Sequence, residues 1–322
     1  MKLPDKPQMR LQQARRWNKW RKRARRAANR AFLKQRQFRS GWLDYFSGAR
    51  EPKMHVVTFS GGVTSWKAAK RVAERYGTKN LILLFADTRN EDPDTYRFLV
   101  EAAWNIGAPL RVIADGRTPI EVMKDEKFLA NSRLDLCSRV LKRELIDRWI
   151  TENCDRETTA VYGGIDWTEE HRYINLRNFR LQDGWYYYAP LCQEPFLWKA
   201  DLLVELKQVH NIKPPRMYEL GFSHNNCGGQ CVKAGQGHMS RLLTKLPERY
   251  SELEEYEQQL IRITGKPVSI LTDRTGDGKK KPLTLKDFRI RIEGGVQIDA
   301  FEEGGCGCAS DVPDEAEDAE AA

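Results

Sequence analysis

The sequence lacks any long run of apolar residues, although 40% of its 322 residues are hydrophobic. A helix that crosses a bilayer needs about 20 consecutive apolar residues, so a transmembrane helix is excluded and no membrane partner is expected. The first ten residues, MKLPDKPQMR, also lack the apolar segment of a secretory signal. We therefore expect a cytoplasmic protein whose seven cysteines serve as thiols or metal ligands rather than as disulfides.

Acidic residues are scarce at the start of the chain. Residues 1–53 hold 17 Lys and Arg but only three Asp and Glu, whereas residues 54–322 carry a net charge of −5. Nearly all of the overall charge of +9 therefore comes from this N-terminal arm. Residues 309–322 contain six acidic groups and no basic group, which is typical of a solvated, disordered tail.

The arm has the composition of a helix. Residues 10–39 contain neither proline nor glycine and are rich in Arg, Lys, Ala and Gln. Trp17 and Trp20 share one predicted helical face, and the opposite face is basic: Arg15, Arg16, Lys19, Lys22, Arg23, Arg25, Arg26 and Arg30. This density of charge with interleaved tryptophans favours binding of a nucleic-acid backbone. A solvated basic extension and an Arg-rich transit peptide are the alternatives.

A glycine-rich turn lies between a predicted buried strand, His55–Phe59, and a predicted helix, Trp66–Tyr76, that Gly77 closes. A turn in this position aims backbone N–H groups and the positive end of the helix dipole at one anion. Glycines allow the backbone to approach a pyrophosphate, and the hydroxyl groups can donate to its oxygens. We therefore expect phosphate binding by the whole turn: Ser60, Gly61, Gly62, Val63, Thr64 and Ser65.

Strand and helix patterns alternate after this turn. Further strands are predicted at residues 80–87, 110–115 and 159–165, and helices at residues 93–107 and 141–153. Alternation of this kind predicts an α/β fold with a doubly wound parallel sheet. In such a sheet, ligands bind at the carboxyl ends of the strands.

The turn resembles the S-G-G-x-x-S loop of the PP-loop ATP pyrophosphatases, the adenine nucleotide α-hydrolase (HUP-type) superfamily. The resemblance implies that ATP binds with Mg²⁺ at residues 60–65 and that the adenine lies near the second strand, which makes Asp87 and Thr88 candidate ligands. It also implies a later loop beside the phosphates, formed here by Gly163, Gly164 and Asp166, with Arg172 shortly after. For Asp166, a capped turn is the alternative.

Within this superfamily, the chain resembles the phosphoadenosine phosphosulfate (PAPS) reductase-like family. Residues 135–138, DLCS, followed by Lys142 resemble that family's cysteine-and-lysine segment. Its distal stretch matches Pro190, Leu191, Trp198, Asp201, Pro214, Tyr218, Gly221, Cys227 and Cys231. Two departures argue against sulfonucleotide reduction: Cys137 precedes Ser138 rather than a second cysteine, and residues 302–308, EEGGCGC, replace the E-C-G-x-H tail.

Five cysteines are candidate metal ligands. Cys227 and Cys231 form a C-x3-C pair, Cys306 and Cys308 form a C-x-C pair, and Cys137 stands alone. Four thiolates can bind a [4Fe–4S] cluster, so we expect one on Cys137, Cys227, Cys231 and either Cys306 or Cys308. Zinc on the two pairs, or with His224 or His238 substituting, is the rival. A mobile redox or sulfur-carrying role for the 306–308 pair is a third interpretation.

Together these patterns predict four regions: a basic helical arm at 1–53, a PP-loop PAPS reductase-like domain at 54–235, a small cysteine-containing region at 236–308 and an acidic tail at 309–322. We expect an enzyme that adenylates an oxygen of its substrate and releases pyrophosphate, so that a sulfur or nitrogen nucleophile can replace the adenylate. Lys142 and Arg172 would stabilise the developing charge, and Asp166 is the third catalytic candidate.

The basic arm makes nucleic acid the expected substrate, bound through residues 10–39, and a sulfur- or electron-donor protein is a further expected partner. The first alternative is a sulfonucleotide reductase. The second is a nucleic-acid-binding protein that retains the fold without catalysis.

Overall fold

The computed structural model describes residues 52–129, 136–265, 268–273 and 281–298. Within these ranges the strands are Met54–Thr58 (β1), Leu81–Asp87 (β2), Leu110–Ala114 (β3), Thr159–Gly163 (β4), Tyr186–Tyr188 (β5), Leu271–Asp273 (β6) and Lys281–Leu283 (β7). The first four strands lie within two residues of their predicted positions. The basic segment 10–39, Cys306, Cys308 and the acidic tail lie outside the described residues.

The helices follow the strands in alternation. The α-helices are Val63–Tyr76 (α1), Pro93–Ile106 (α2), Pro119–Asp125 (α3), Leu136–Ser138 (α4), Glu144–Asn153 (α5), Glu170–Gln182 (α6), Lys199–Gln208 (α7), Arg216–Glu219 (α8), Gln236–Lys245 (α9), Pro247–Thr264 (α10) and Leu285–Glu293 (α11). A π-helical turn at Arg139–Arg143 precedes α5, where the sequence predicted one α-helix from residue 141. Short 3₁₀ turns occupy Trp167–Glu169 and Asn226–Gly229.

Strands β1 to β5 form one parallel sheet in the order β3-β2-β1-β4-β5. The chain moves outward from β1 through β2 to β3, then returns to the other side of β1 for β4 and β5. This reversal creates a crevice at the carboxyl ends of β1 and β4, which is where doubly wound sheets bind ligands. The predicted α/β fold is therefore confirmed.

Two apolar clusters form the core. The first packs α1, α2 and α7 against the sheet, and includes Phe59, Trp66, Phe85, Phe98 and Leu206. Trp66 is fully buried, and its indole Nε1 donates to Asn105 Oδ1 at 2.9 Å. Burial of such a side chain contributes about 2–3 kcal/mol, which fixes α1 and the loop that precedes it against the sheet.

The second cluster joins α3 and the π-helical turn to α9, α10, α11 and the antiparallel β6–β7 hairpin. Its members include Met123, Leu141, Met217, Tyr250 and Phe288, all at most 1% exposed. They come from both sides of the domain boundary that the sequence placed at residue 235, so the C-terminal helices share a core with earlier segments. No helix in the described ranges is long and apolar enough to cross a bilayer.

Candidate active site

A cavity of about 560 Å³ lies at the carboxyl ends of β1 and β4. The loop after β1 contributes Ser60, Gly62 and Thr64 to its wall, and the loop after β4 contributes Gly164 and Asp166. Both loops leave the sheet at the point where the strand order reverses. The cavity therefore lies where the topology predicts a ligand site.

Glycines bring the two loops into contact. A Cβ atom on Gly164 would lie 2.7 Å from the Ser65 Cα atom and 2.8 Å from its backbone nitrogen, so no side chain fits there. Gly61 has φ +74°, and a Cβ atom on it would lie 2.9 Å from Thr95 Cγ2. A Cβ atom on Gly163 would lie 2.7 Å from the hydroxyl oxygen of Tyr187. Close approach of backbone thus requires glycine at position 164, whereas side chains crowd positions 61 and 163.

Side chains distant in sequence fix the phosphate loop. Asn225, 1% exposed, donates from Nδ2 to the Gly61 carbonyl oxygen at 2.9 Å. The hydroxyl oxygen of Tyr218 accepts from the Val63 N–H at 3.4 Å. Ser65 donates its hydroxyl proton to the Gly62 carbonyl oxygen at 2.8 Å. Ser65 therefore closes the loop from within, and the other two hydroxyl residues of the loop, Ser60 and Thr64, line the cavity.

Helix α1 begins directly after this loop. Its N-cap is Gly62, which has no side chain to cap the helix, and no acidic residue lies in its first turn. The positive end of a helix dipole and the free first-turn N–H groups of a helix attract anions. The strand, loop and helix therefore follow one another as the sequence predicted, and anion binding at this loop stays a prediction.

Basic side chains outnumber acidic ones in the cavity wall. The acidic residues are Asp147, Asp166, Glu169 and Asp183, and the basic residues are Lys142, Arg143, Arg156, Arg172, Arg180 and Lys199. Arg172 pairs with Glu169 one helical turn away, and Arg180 pairs with Asp147 at 2.7 Å. The excess of positive charge suits a polyanionic ligand.

The predicted catalytic residues Lys142, Arg172 and Asp166 all line this cavity. Asp166 is also the N-cap of the 3₁₀ turn, since its Oδ1 accepts from the Thr168 N–H at 2.9 Å. The capped turn and the cavity position, which the sequence offered as alternatives, therefore occur together.

The predicted adenine ligands Asp87 and Thr88 do not line the cavity. Asp87 accepts hydrogen bonds from the Arg89 N–H and from the Tyr96 hydroxyl, both at 2.8 Å. Burial and the neighbouring Asp87 raise the pKa of Tyr96 above its ordinary value. Strand β2 reaches the cavity wall through earlier residues instead: Leu84, Phe85 and Ala86.

His224 is a cavity residue that the sequence suggested only as a substitute zinc ligand. Its ring stacks on that of His238, with 5.1 Å between centroids. Burial, followed by the charges of His238, Lys199 and Lys142, lowers the pKa of His224 to about 3. Its buried Nδ1 has no hydrogen-bond partner in the described part of the chain. Burial therefore favours the neutral form of this imidazole.

Three of the predicted ligand cysteines, Cys137, Cys227 and Cys231, line one smaller pocket of about 20 Å³. Lys142 lines this thiol pocket as well as the larger cavity. Thiols are soft donors that suit iron–sulfur clusters or zinc, but within the described ranges no three His, Cys, Asp or Glu side chains are arranged to hold a metal ion. Neither His224 nor His238 lines the thiol pocket.

The turn that carries Cys227 is held by the segment after β2. Cys227 has φ +52° and its N–H donates to Glu91 Oε2 at 2.6 Å. Asn90 donates from Nδ2 to the Cys227 carbonyl oxygen at 3.1 Å. The same Glu91 carboxylate accepts from Thr88 at 3.1 Å and pairs with Lys142. Glu91 was not predicted from the sequence. The only pattern that could have indicated it is a carboxylate shortly after a buried strand.

No family model and no curated protein matches the chain. Its similarity to known proteins is therefore structural alone. The PAPS reductase from Candida auris, a phosphate complex, is 20% identical with a TM-score of 0.39, over 53% of this chain and 79% of that chain. The U34-tRNA thiolase from Methanococcus maripaludis with its [4Fe–4S] cluster is 15% identical with a TM-score of 0.38, over 66% and 73%. The NH3-dependent NAD synthetase from Campylobacter jejuni is 14% identical with a TM-score of 0.33, over 74% and 94%.

All three identities lie below 25% and all three TM-scores below 0.5, so these similarities assign no family to the chain. The features that indicate function belong to the chain itself: the S-G-G-x-x-S loop between β1 and α1, the glycine contact with the loop after β4, and the strand order on either side. Together they give a doubly wound parallel α/β fold with a glycine-rich loop at its switch point.

Proposed function

We propose that the cavity binds ATP and that the protein adenylates an oxygen atom of a nucleic-acid substrate, with release of pyrophosphate. The observation that carries this proposal is the contact between the phosphate loop and Gly164 at the switch point of the sheet. Lys142 and Arg172 stand in the same wall. A polyphosphate is complementary to a positively charged wall and to a helix N-terminus whose first turn holds no acidic residue.

Each group in the cavity has a distinct part in this reaction. The loop N–H groups and α1 hold the β- and γ-phosphates, while Lys142 and Arg172 offset charge that develops on the α-phosphate. The substrate oxygen forms a bond to the α-phosphorus as the bond to pyrophosphate breaks. Mg²⁺ bound with the phosphates would supply further charge neutralisation to the leaving group. The rigid loop positions the reacting atoms, which lowers the entropic part of the barrier.

The thiol pocket supports a sulfur-transfer version of this activity. Cys137, Cys227 and Cys231 would hold a [4Fe–4S] cluster together with either Cys306 or Cys308, and zinc is the rival occupant. The cluster would supply iron to which a sulfur atom can bind. Modification of nucleic acid by sulfur insertion is therefore our preferred form of the proposal.

Pyrophosphate release tests the proposal directly. We expect anaerobically purified protein to release pyrophosphate from ATP only when RNA or DNA is present. Adenosine phosphosulfate turnover with a thiol reductant would instead identify a sulfonucleotide reductase. Nucleic-acid binding with no consumption of ATP would leave the non-catalytic alternative.

A pair of arginine variants places the reaction in this cavity. Arg172→Gln removes a cavity charge, and we expect pyrophosphate release to fall about 100-fold. Arg117→Gln is the matched control, because Arg117 also forms ion pairs, with Asp115 and Asp125, but does not line the cavity. Equal activity in the two variants would contradict the assignment.

A further inference from the structure

An aromatic cluster adjoins the cavity on the side of the loop after β4. Trp167 lies between Asp166 and Thr168, which both line the cavity, and Trp198 directly precedes Lys199, which also lines it. The Trp167 ring is 4.6 Å from that of Trp198 and 5.7 Å from that of Phe196, measured between centroids. We call these three residues the rim aromatics.

One of the rim aromatics is exposed to solvent, so the three residues do not form a closed apolar cluster. Trp198 is 56% exposed, although it packs edge-to-face on Trp167 at an interplanar angle of 73°. Trp167 is half-buried, and its indole Nε1 donates to the Leu197 carbonyl oxygen at 3.0 Å. Trp167 is thus held in place from behind, whereas more than half of the Trp198 surface faces solvent beside a basic cavity.

The guanidinium of Arg71 holds the chain segment that carries Phe196 and Trp198. Arg71 of α1 donates from Nη1 to the carbonyl oxygens of Pro190 at 2.8 Å and Gln193 at 3.1 Å, and from Nη2 to that of Pro195. A backbone bridge also joins Asp166 to Leu191. The exposed ring is therefore presented by a rigid loop, which reduces the entropy lost when a ligand stacks on it.

From this geometry we propose that Trp198, supported by Trp167 and Phe196, stacks against a nucleobase of a single-stranded nucleic-acid substrate. The inference rests on the proposed function and deepens it, because it defines the substrate as unpaired where it meets the protein. Exposed aromatic rings beside a positively charged groove are the means by which proteins hold single strands, since every base offers a flat face. The basic cavity wall attracts the phosphates of the same strand.

Binding of a labelled 12-nucleotide oligoadenylate RNA to the full-length protein tests this inference. We expect Trp198→Ala to weaken oligoadenylate binding about tenfold. Trp198→Phe should retain most of the parent protein's affinity. Trp104→Ala on α2 is the matched control, because Trp104 is 83% exposed but, unlike Trp198, has no neighbour in sequence that lines the cavity. An abasic oligomer with the same number of phosphates should bind equally to all of these proteins.

Three results would overturn the inference. The first is an oligoadenylate affinity that Trp198→Ala leaves unchanged, or no binding by the parent protein. The second is an equal loss for the abasic oligomer, which would assign the effect to charge. The third is a loss of ATP affinity in Trp198→Ala, which would assign the ring to the adenine of ATP. If oligoadenylate binding depends on Trp198 while pyrophosphate is never released, the proposed reaction fails and the stacking site stands.

Discussion

Lys142 and Glu91 form a buried ion pair between the large cavity and the thiol pocket, with 3.3 Å between Nζ and Oε1. The Glu91 side chain is 1% exposed and that of Lys142 is 10% exposed. Glu91 also accepts from the backbone N–H of Cys227, so one carboxylate contacts both the cavity lysine and the cysteine turn. The same carboxylate therefore holds Lys142 in the cavity wall and the cysteine turn of the thiol pocket.

Neutralising Glu91 should destabilise the protein strongly. Glu91→Gln leaves the Lys142 charge buried beside a neutral amide, and removal of one partner of a buried pair costs about 3 kcal/mol in free energy of unfolding. Glu101→Gln is the control, because Glu101 is 42% exposed in its pair with Arg97 and should lose about 0.5 kcal/mol or less. Urea unfolding of both variants measures the difference. Similar midpoints in the two variants would show that Glu91 has no such role.

The glycine at position 61 should be needed for ATP binding and not only for stability. Gly61 and Gly77 flank α1 with nearly equal φ angles, +74° and +76°, but a Cβ atom meets neighbours within 4 Å only at Gly61. An alanine at either site costs about 1–3 kcal/mol of backbone strain, because both φ angles are positive. We expect Gly61→Ala to weaken ATP binding about tenfold or more and Gly77→Ala to leave it unchanged. Calorimetric titration with ATP separates these outcomes, and equal ATP affinities would remove the phosphate-binding role of the loop.

Most of the fold was predicted from local sequence patterns. The apolar run in β2 and the glycines that flank α1 depend on near neighbours in sequence, so the first four strands and the phosphate loop could be located to within two residues. Strand β5 escaped prediction because it has three residues, Tyr186–Tyr188, and forms by pairing with β4. Segments this short gain their structure from the neighbouring strand rather than from their own propensity.

The motif indicated the residues of the phosphate loop, but not the tertiary contacts that hold the loop and the cysteine turn. Asn225 lies 164 residues after Gly61, and Cys227 lies 136 residues after Glu91. No spacing rule connects residues that far apart, so the anchors of the loop and of the cysteine turn could not be found from the sequence. The grouping of Cys137 with Cys227 and Cys231 was predicted, because soft donors in a chain without expected disulfides favour a shared site.

Burial of His224 should make the protein acid-sensitive. The unfolded chain binds a proton at His224 with a pKa near 6.5, whereas in the folded protein the pKa is lowered to about 3. The stability present above pH 6.5 is therefore lost as the pH falls towards 3, by about 2 kcal/mol at pH 5. His224→Gln should flatten this decline, and His171→Gln, at an exposed position, should not. Urea unfolding at pH 5 and pH 7 measures both, and parallel curves for all three proteins would contradict the assignment.

The thiol pocket should determine metal content. We expect anaerobically purified protein to be brown and to absorb near ~400 nm, as cysteine-ligated iron–sulfur clusters do. Cys227→Ser and Cys231→Ser should lose this absorption, whereas Cys154→Ser should keep it, because Cys154 lies outside the pocket. Metal analysis of the same samples provides the check. Colourless protein with stoichiometric zinc would favour the rival metal.

The basic arm should make nucleic-acid binding depend on salt, because its charges are expected to contact phosphates directly. For single strands the slope of log K against log salt concentration is about −0.7 per phosphate contact. Arg25→Gln with Arg26→Gln should therefore reduce the magnitude of the slope by about 1.4 and leave ATP affinity unchanged. Lys79→Gln with Arg111→Gln removes the same charge from exposed positions of the body. Because both double variants change the net charge equally, only charge placed against the phosphates distinguishes them. Equal slopes in the two variants would mean that the arm acts through net charge alone and makes no direct phosphate contact.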